Sequence, residues 1–155
     1  MKLSDILTEE RIAILPGHGG VALSKVAVVK QLATLLASGS SLSLATIEET
    51  LLEREQLQST GIGEGVAIPH ASLPGLDTQR AALVLARHGV QFDAIDHQPV
   101  SILFAVVGPK HATGEHLKTL ARISRVLRNQ TFRDELLDCD TVHAAFERLI
   151  REDNP

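Results

Sequence analysis

Aromatic side chains are scarce in this chain: four Phe, no Trp and no Tyr among 155 residues. A core must therefore be built from Leu, Ile, Val and Ala, and a nucleic-acid site that stacks bases on aromatic rings is disfavoured. Basic charge is short as well. Fifteen Lys and Arg stand against nineteen Asp and Glu, a formal net charge of −4, which argues against binding a phosphate backbone by charge alone. A single cysteine, Cys139, permits no internal disulfide and fits a reducing compartment. The opening Met1-Lys2-Leu3-Ser4-Asp5 has no apolar signal-peptide region, and no run approaches the ~18 apolar residues of a membrane span. The expectation is a soluble cytoplasmic chain. With 44% hydrophobic residues it should form one domain over 1–155, its core running from about residue 5 to 150.

What stands out is the stretch Ser59-Thr60-Gly61-Ile62-Gly63-Glu64-Gly65-Val66-Ala67-Ile68-Pro69-His70. Glycines at alternate positions permit positive φ and close backbone approach, which suits amides turned toward an anion. Val66–Ile68 reads as a short apolar strand. Pro69 cannot donate to a ladder, so His70 should stand at a strand end, open to solvent and partners.

The flanking chain alternates strands and helices. Residues 11–15 read as a strand. Ser24 should cap a helix to about Ser38, terminated by Gly39, with Val28, Leu32 and Leu35 facing inward. Ser43 should cap a second helix whose inward stripe is Leu44, Ile47 and Leu51. A turn is expected over Ser72–Thr78. Ala81–Ala86 and Val100–Val107, apolar on both faces, read as central strands. Thr113 should cap a helix with His116 in its first turn, heading the apolar line Leu120, Ile123 and Leu127, while Lys118, Arg122 and Arg125 form a solvated face. Thr131 with Asp134 resembles a capping box, Asp140 a final cap, and Arg151–Pro155 a frayed tail. The pattern is α/β with a mixed sheet.

Three residues need a common explanation: His70 behind the glycines, His116 at a helix start, and Arg54, seven residues after Ile47 on an apolar stripe. Thr50, Leu51, Leu57 and Gln58 occupy the helical neighbour positions of Arg54, so it has no local acid and calls for a distant acid or a bound anion. An imidazole, an arginine fork and a helix N-terminus together suit a phosphoryl group. A metal site on His70, His111 and His116 is the competing use of these histidines, although no His-x-x-x-His spacing supports it. The chain has no Gly-Lys-Ser/Thr of a nucleotide loop and no nucleophile elbow around Ser59. His18, His88, His97, His111 and His143 read as structural or solvated.

The 59–70 stretch resembles the active-site motif of enzyme IIA components of the mannitol/fructose class of the bacterial phosphotransferase system, most of all the nitrogen-regulatory type. Leu51-Leu52-Glu53-Arg54-Glu55, Phe92-Asp93-Ala94-Ile95-Asp96 with Gln98-Pro99-Val100, and His116-Leu117 with Thr119-Leu120 resemble further family segments in family order. The resemblance implies a three-layer α/β/α sandwich around a mixed sheet. It also implies a phosphotransferase that accepts a phosphoryl group on His70 from the phosphohistidine of a small HPr-type carrier. His116 and Arg54 match the family's second histidine and its arginine. Phosphoryl oxygens would be held by those two, by Thr60 and by amides such as those of Gly61 and Gly63, with neither cofactor nor metal. Sugar-specific relatives hand the group to a IIB domain. Cys139 falls between predicted helices rather than in a IIB phosphate loop, so a regulatory role is expected, with other proteins as targets of a phosphorylation-switched surface.

Overall fold

The computed structural model describes residues 1–16 and 23–154. Its centre is a pair of long antiparallel strands, β6 (Arg80–Gln91) and β7 (Val100–Pro109), in register from Arg80 opposite Val107 to Leu85 opposite Ile102. Between Leu85 and Val90 the register shifts, in a stretch where Gly89 takes positive φ, and β6 runs well past the expected Ala86. On the outer side of β6 lie β1 (Ile12–Leu15) and β2 (Leu23–Ser24), both parallel to it. On the outer side of β7 lie β4 (Val66–Ala67) and β5 (His70–Leu73), also parallel. A third strand in that region, β3 (Gly61–Gly63), closes a hairpin onto β4. The sheet is mixed, as expected.

Strand periodicity sends the side chains of β6 and β7 to two cores. Ala82, Val84, Leu103, Ala105 and Val107 meet helices α1 (Lys25–Ala37) and α2 (Leu44–Leu57) through Val29, Leu32, Leu36, Ile47 and Leu51. Ala81, Leu83, Leu85, Ile102, Phe104 and Val106 pack on the other face against α3 (Thr113–Val126), α4 (Gln130–Leu137) and α5 (Val142–Asp153), and against Leu3, Ile6 and Leu7. Helices therefore cover both faces, giving the three-layer α/β/α sandwich.

Ser24 and Ser43 cap α1 and α2 as their sequence positions predict, accepting from the amides of Ala27 and Thr46. The later caps differ. Thr113 is the first helical residue of α3 rather than its cap, and Ala112 precedes it with no side-chain oxygen to offer. Asn129 caps α4 in place of the expected Thr131–Asp134 box, and Thr141 rather than Asp140 caps α5. For α4 and α5 a nearby polar residue competes for the same role. The expected frayed tail is helical to Asp153, whose buried carboxylate accepts from the Leu3 amide and from Arg122 at 2.6 Å. Arg122 therefore leaves the solvated row expected for it. The turn expected over Ser72–Thr78 begins only after Leu73. His18 lies outside the described residues.

Candidate active site

Pro69 interrupts a strand without breaking its register. Val66 opposes Ile102, Ala67 opposes Leu103, and after the proline His70 opposes Val106 with the same offset. The Val106 amide donates to the Pro69 carbonyl across the gap. β4 and β5 are thus one track along β7, with a residue inside it that has no N–H of its own. His70 opens the second half of that track and is half-buried.

The His70 ring is oriented from behind. Nδ1–H donates to the Ile68 carbonyl at 2.8 Å, which leaves Nε2 unprotonated in the neutral ring. Ile68 is in turn fixed by donating its amide to the Thr60 carbonyl, 3.0 Å away. Burial holds the imidazole below the ordinary value of 6.5; the Ile68 bond opposes that shift and the nearby Arg54 charge adds to it. A neutral ring with a bare Nε2 is a nucleophile.

His116, in the first turn of α3 and 8% exposed, brings its ring to 5.7 Å from that of His70, inclined at 55°. Burial and the neighbouring His70 push its proton affinity down. Its Nδ1 is enclosed without a hydrogen-bond partner. The ring can come this low over the sheet because Gly108 lies beneath it; a Cβ there would stand 3.1 Å from Nδ1.

Arg54 stands on the last turn of α2, half-buried, and donates from its guanidinium to the Gln58 carbonyl at 2.9 Å. Of the two expected partners, a distant acid or a bound anion, the acid is not there: among the described residues Arg54 makes no salt bridge, and the carbonyl of the capping residue Gln58 holds it. Two open hollows of about 480 and 590 Å³ meet at Arg54 and His70. The first runs under Thr60, Gly61, Ile62 and Ile95, the second beside Leu57, Ser72 and His116. The three residues singled out from the sequence are brought together.

Thr60 and Gly61 line the first hollow, but their donors are directed elsewhere. Thr60 gives both its amide and its hydroxyl to the Glu55 carboxylate. The Gly61 amide goes to the Ser59 hydroxyl, and Gly61 is pressed against Ala94, where a Cβ would come within 2.7 Å of the alanine Cβ. Gly63 pairs with Val66 and does not line either hollow. Glu55, 6% exposed, continues the Ile47–Leu51 stripe and meets Lys25 at 3.1 Å. It was overlooked in the sequence, although its four-residue step from Leu51 is the helical signal that places it inside. Among the described residues, no three His, Cys, Asp or Glu side chains are grouped so as to hold a metal ion.

A strand-borne histidine, a second imidazole facing it and an arginine at a helix end lie together on a three-layer sandwich, the arrangement that the resemblance to phosphotransferase-system IIA domains implies. The chain belongs to the family described as "Phosphoenolpyruvate-dependent sugar phosphotransferase system, EIIA 2", whose sequence profile matches residues 6–152. Within this phosphotransferase family it resembles the nitrogen-regulatory type. A nitrogen regulatory protein of Pseudomonas aeruginosa is 36% identical over 99% of this chain and 98% of its own length. That of Escherichia coli K12 is 41% identical over 70% of this chain and 67% of its own. The crystal structure of Nitrogen Regulatory Protein IIA-Ntr from Neisseria meningitidis superposes with a TM-score of 0.85 at 34% identity, covering 95% of this chain and 98% of that one. The IIA mannitol structure of Escherichia coli, at 20% identity and a TM-score of 0.74, shares the fold. Membership makes the chain a component of a phosphoryl relay.

Proposed function

We propose that Nε2 of His70 accepts a phosphoryl group from the phosphohistidine of an HPr-type carrier, and that the phosphorylated chain regulates other proteins in the cytoplasm rather than transporting sugar. One observation carries the first part: the bond from Nδ1–H to Ile68 leaves the opposite nitrogen bare at a surface where Arg54 and His116 flank it. The lone pair on Nε2 forms the new N–P bond. The bond to the donor's nitrogen breaks, and its electron pair stays on the donor imidazole. No oxidant, nucleotide or metal is required by this balance. A loose transition state needs in-line placement and stabilisation of oxygen charge, which Arg54 and a ring N–H of His116 supply. Thr60 and Gly61 serve the reading by holding Ile68 and the wall of the hollow, since the Thr60 donors and the Gly61 amide are engaged, while Gly63 stands outside both hollows.

The regulatory part draws on the resemblance to nitrogen regulatory proteins and on the apolar rim of the site. Leu57, Ile62 and Leu117 are exposed on the elements that carry Arg54, the glycines and His116, and Ile95 is exposed on the loop between β6 and β7 that borders the first hollow. A phosphoryl group of charge near −2 placed among them changes which surface can dock there. The test is incubation with phosphorylated HPr-type donor, followed by mapping of the acid-labile phosphate. Label at His70 is the expected result. Label elsewhere, or undiminished label in His70→Ala, overturns the reading.

A further inference from the structure

Among the described residues three buried side-chain polar atoms have no hydrogen-bond partner: Nδ1 of His116 and both the nitrogen and the oxygen of the Gln79 carboxamide. They are neighbours. Gln79 directly precedes β6, and continuing the register of Arg80 opposite Val107 sets it opposite Gly108. Strand alternation turns its side chain to the same face as Ala81 and Leu83, the face that α3 covers. A single point on Gly108, where a Cβ would be, lies 3.1 Å from His116 Nδ1 and 3.4 Å from Gln79 Cγ. Residue 108 itself places no side chain between them. Gln79 is 5% exposed, so water does not compensate its amide at the surface.

Burying polar atoms that remain unpaired is costly, and here each group is what the other lacks. A carboxamide can donate or accept, and a neutral imidazole nitrogen can do either according to its tautomer. The reaction selects between the two pairings. His116 has one ring proton when neutral, and Nε2 is the nitrogen left to the hollow shared with His70. For that nitrogen to donate toward a phosphoryl oxygen, Nδ1 must be the acceptor.

We propose that Gln79 is a positioning residue of this site: a small rotation of its side chain lets the carboxamide N–H donate to Nδ1 of His116, which keeps the ring proton on Nε2, facing the group carried by His70. The inference rests on the phosphoryl-acceptor reading for its purpose, but the tautomer can be read without any phosphoryl transfer. Gln79 touches neither donor nor phosphate, and it acts only through the second imidazole.

Two-bond ¹H–¹⁵N correlation spectra of the whole unphosphorylated chain report which nitrogen of His116 is protonated. The expected pattern at pH 7.5 is the proton on Nε2. In Gln79→Leu, which fills the same space without a donor, the pattern shifts toward a mixture of tautomers, and the rate of phosphoryl gain from phosphorylated HPr-type donor falls about tenfold. In Gln79→Glu, whose ionised carboxylate only accepts, the proton moves to Nδ1 and the rate falls although the site stays filled. Backbone spectra identify a variant that has not folded, and Gln79→Glu then decides if Gln79→Leu fails to fold. A wild-type His116 protonated on Nδ1, or a folded variant with both tautomer and rate unchanged, overturns the proposal. Absence of any phosphoryl uptake by the wild type would instead refute the acceptor reading and leave the tautomer result to stand or fall separately.

Discussion

His70 and Ile68 are joined by a 2.8 Å hydrogen bond that spans the intervening Pro69, from ring Nδ1–H to main-chain carbonyl. This contact fixes both the tautomer and the direction of the imidazole, and Nε2 is thereby turned outward.

Replacing His70 by Ala should abolish phosphate uptake, while Arg54→Ala and His116→Ala should each slow uptake by about 10²-fold or more without changing the labelled residue. Quenched-flow transfer from phosphorylated donor measures this. Arg54→Lys should recover only part of the loss, since an ammonium cannot reproduce the planar fork.

The pH dependence has a defined sign. Burial keeps the imidazoles of His70 and His116 below 6.5 in the folded chain, whereas they titrate near 6.5 when unfolded. In that interval the unfolded state binds more protons, so their contribution to stability is complete above 6.5 and is lost as pH falls through the folded values. His143, raised by its hydrogen bond to Glu9 and the nearby charges of Glu9 and Glu147, acts oppositely and loses its contribution as pH climbs through its folded value. Urea midpoints should drop between pH 7.5 and 5.5. The drop should shrink in a His70→Ala, His116→Ala double variant and grow in His143→Ala. Removing Arg54 should raise the His70 titration midpoint seen by NMR.

Glu55 ties α2 to α1 and to the segments that flank the β3–β4 hairpin. Its carboxylate holds Lys25 at the start of α1 and both donors of Thr60, whose carbonyl holds Ile68. Truncating one member of a buried ion pair leaves the other groups unsatisfied, so Glu55→Ala should cost about 3 kcal/mol in denaturant unfolding. Lys25→Ala should cost less, because Lys25 is the more exposed partner.

Gly108→Ala is a local probe of the second histidine. The added methyl would crowd His116 Nδ1 at 3.1 Å, which the ring can relieve only by lifting from the sheet. The expected outcome is a folded chain with slower phosphoryl uptake. Gly61→Ala meets the backbone of Ala94 at 2.9 Å instead, and should destabilise the fold by about 1–3 kcal/mol.

The central layer was legible because β6 and β7 are apolar on both faces, and the first two helices because Ser24 and Ser43 each stand directly before the apolar periodicity of the helix they cap. The caps of α4 and α5 were not, since Asn129 competes with Thr131 and Thr141 with Asp140, and spacing cannot rank such neighbours. Arg54 was noticeable as a charge on an apolar stripe. Its partner was invisible because it is a main-chain carbonyl, and composition carries no information about which carbonyls a helix end leaves free. Glu55 and Gln79 were missed for a related reason: ordinary polar residues become conspicuous only once burial is known. The strand β5 was hidden by Pro69, which marks an end in most ladders.

That proline has a mechanical corollary. Because the track resumes in step after residue 69, the His70 imidazole is borne by a strand laddered to β7 rather than by a loop. Under the proposed relay, a protein that delivers to it would meet an imidazole already aimed by the strand and by the Ile68 carbonyl.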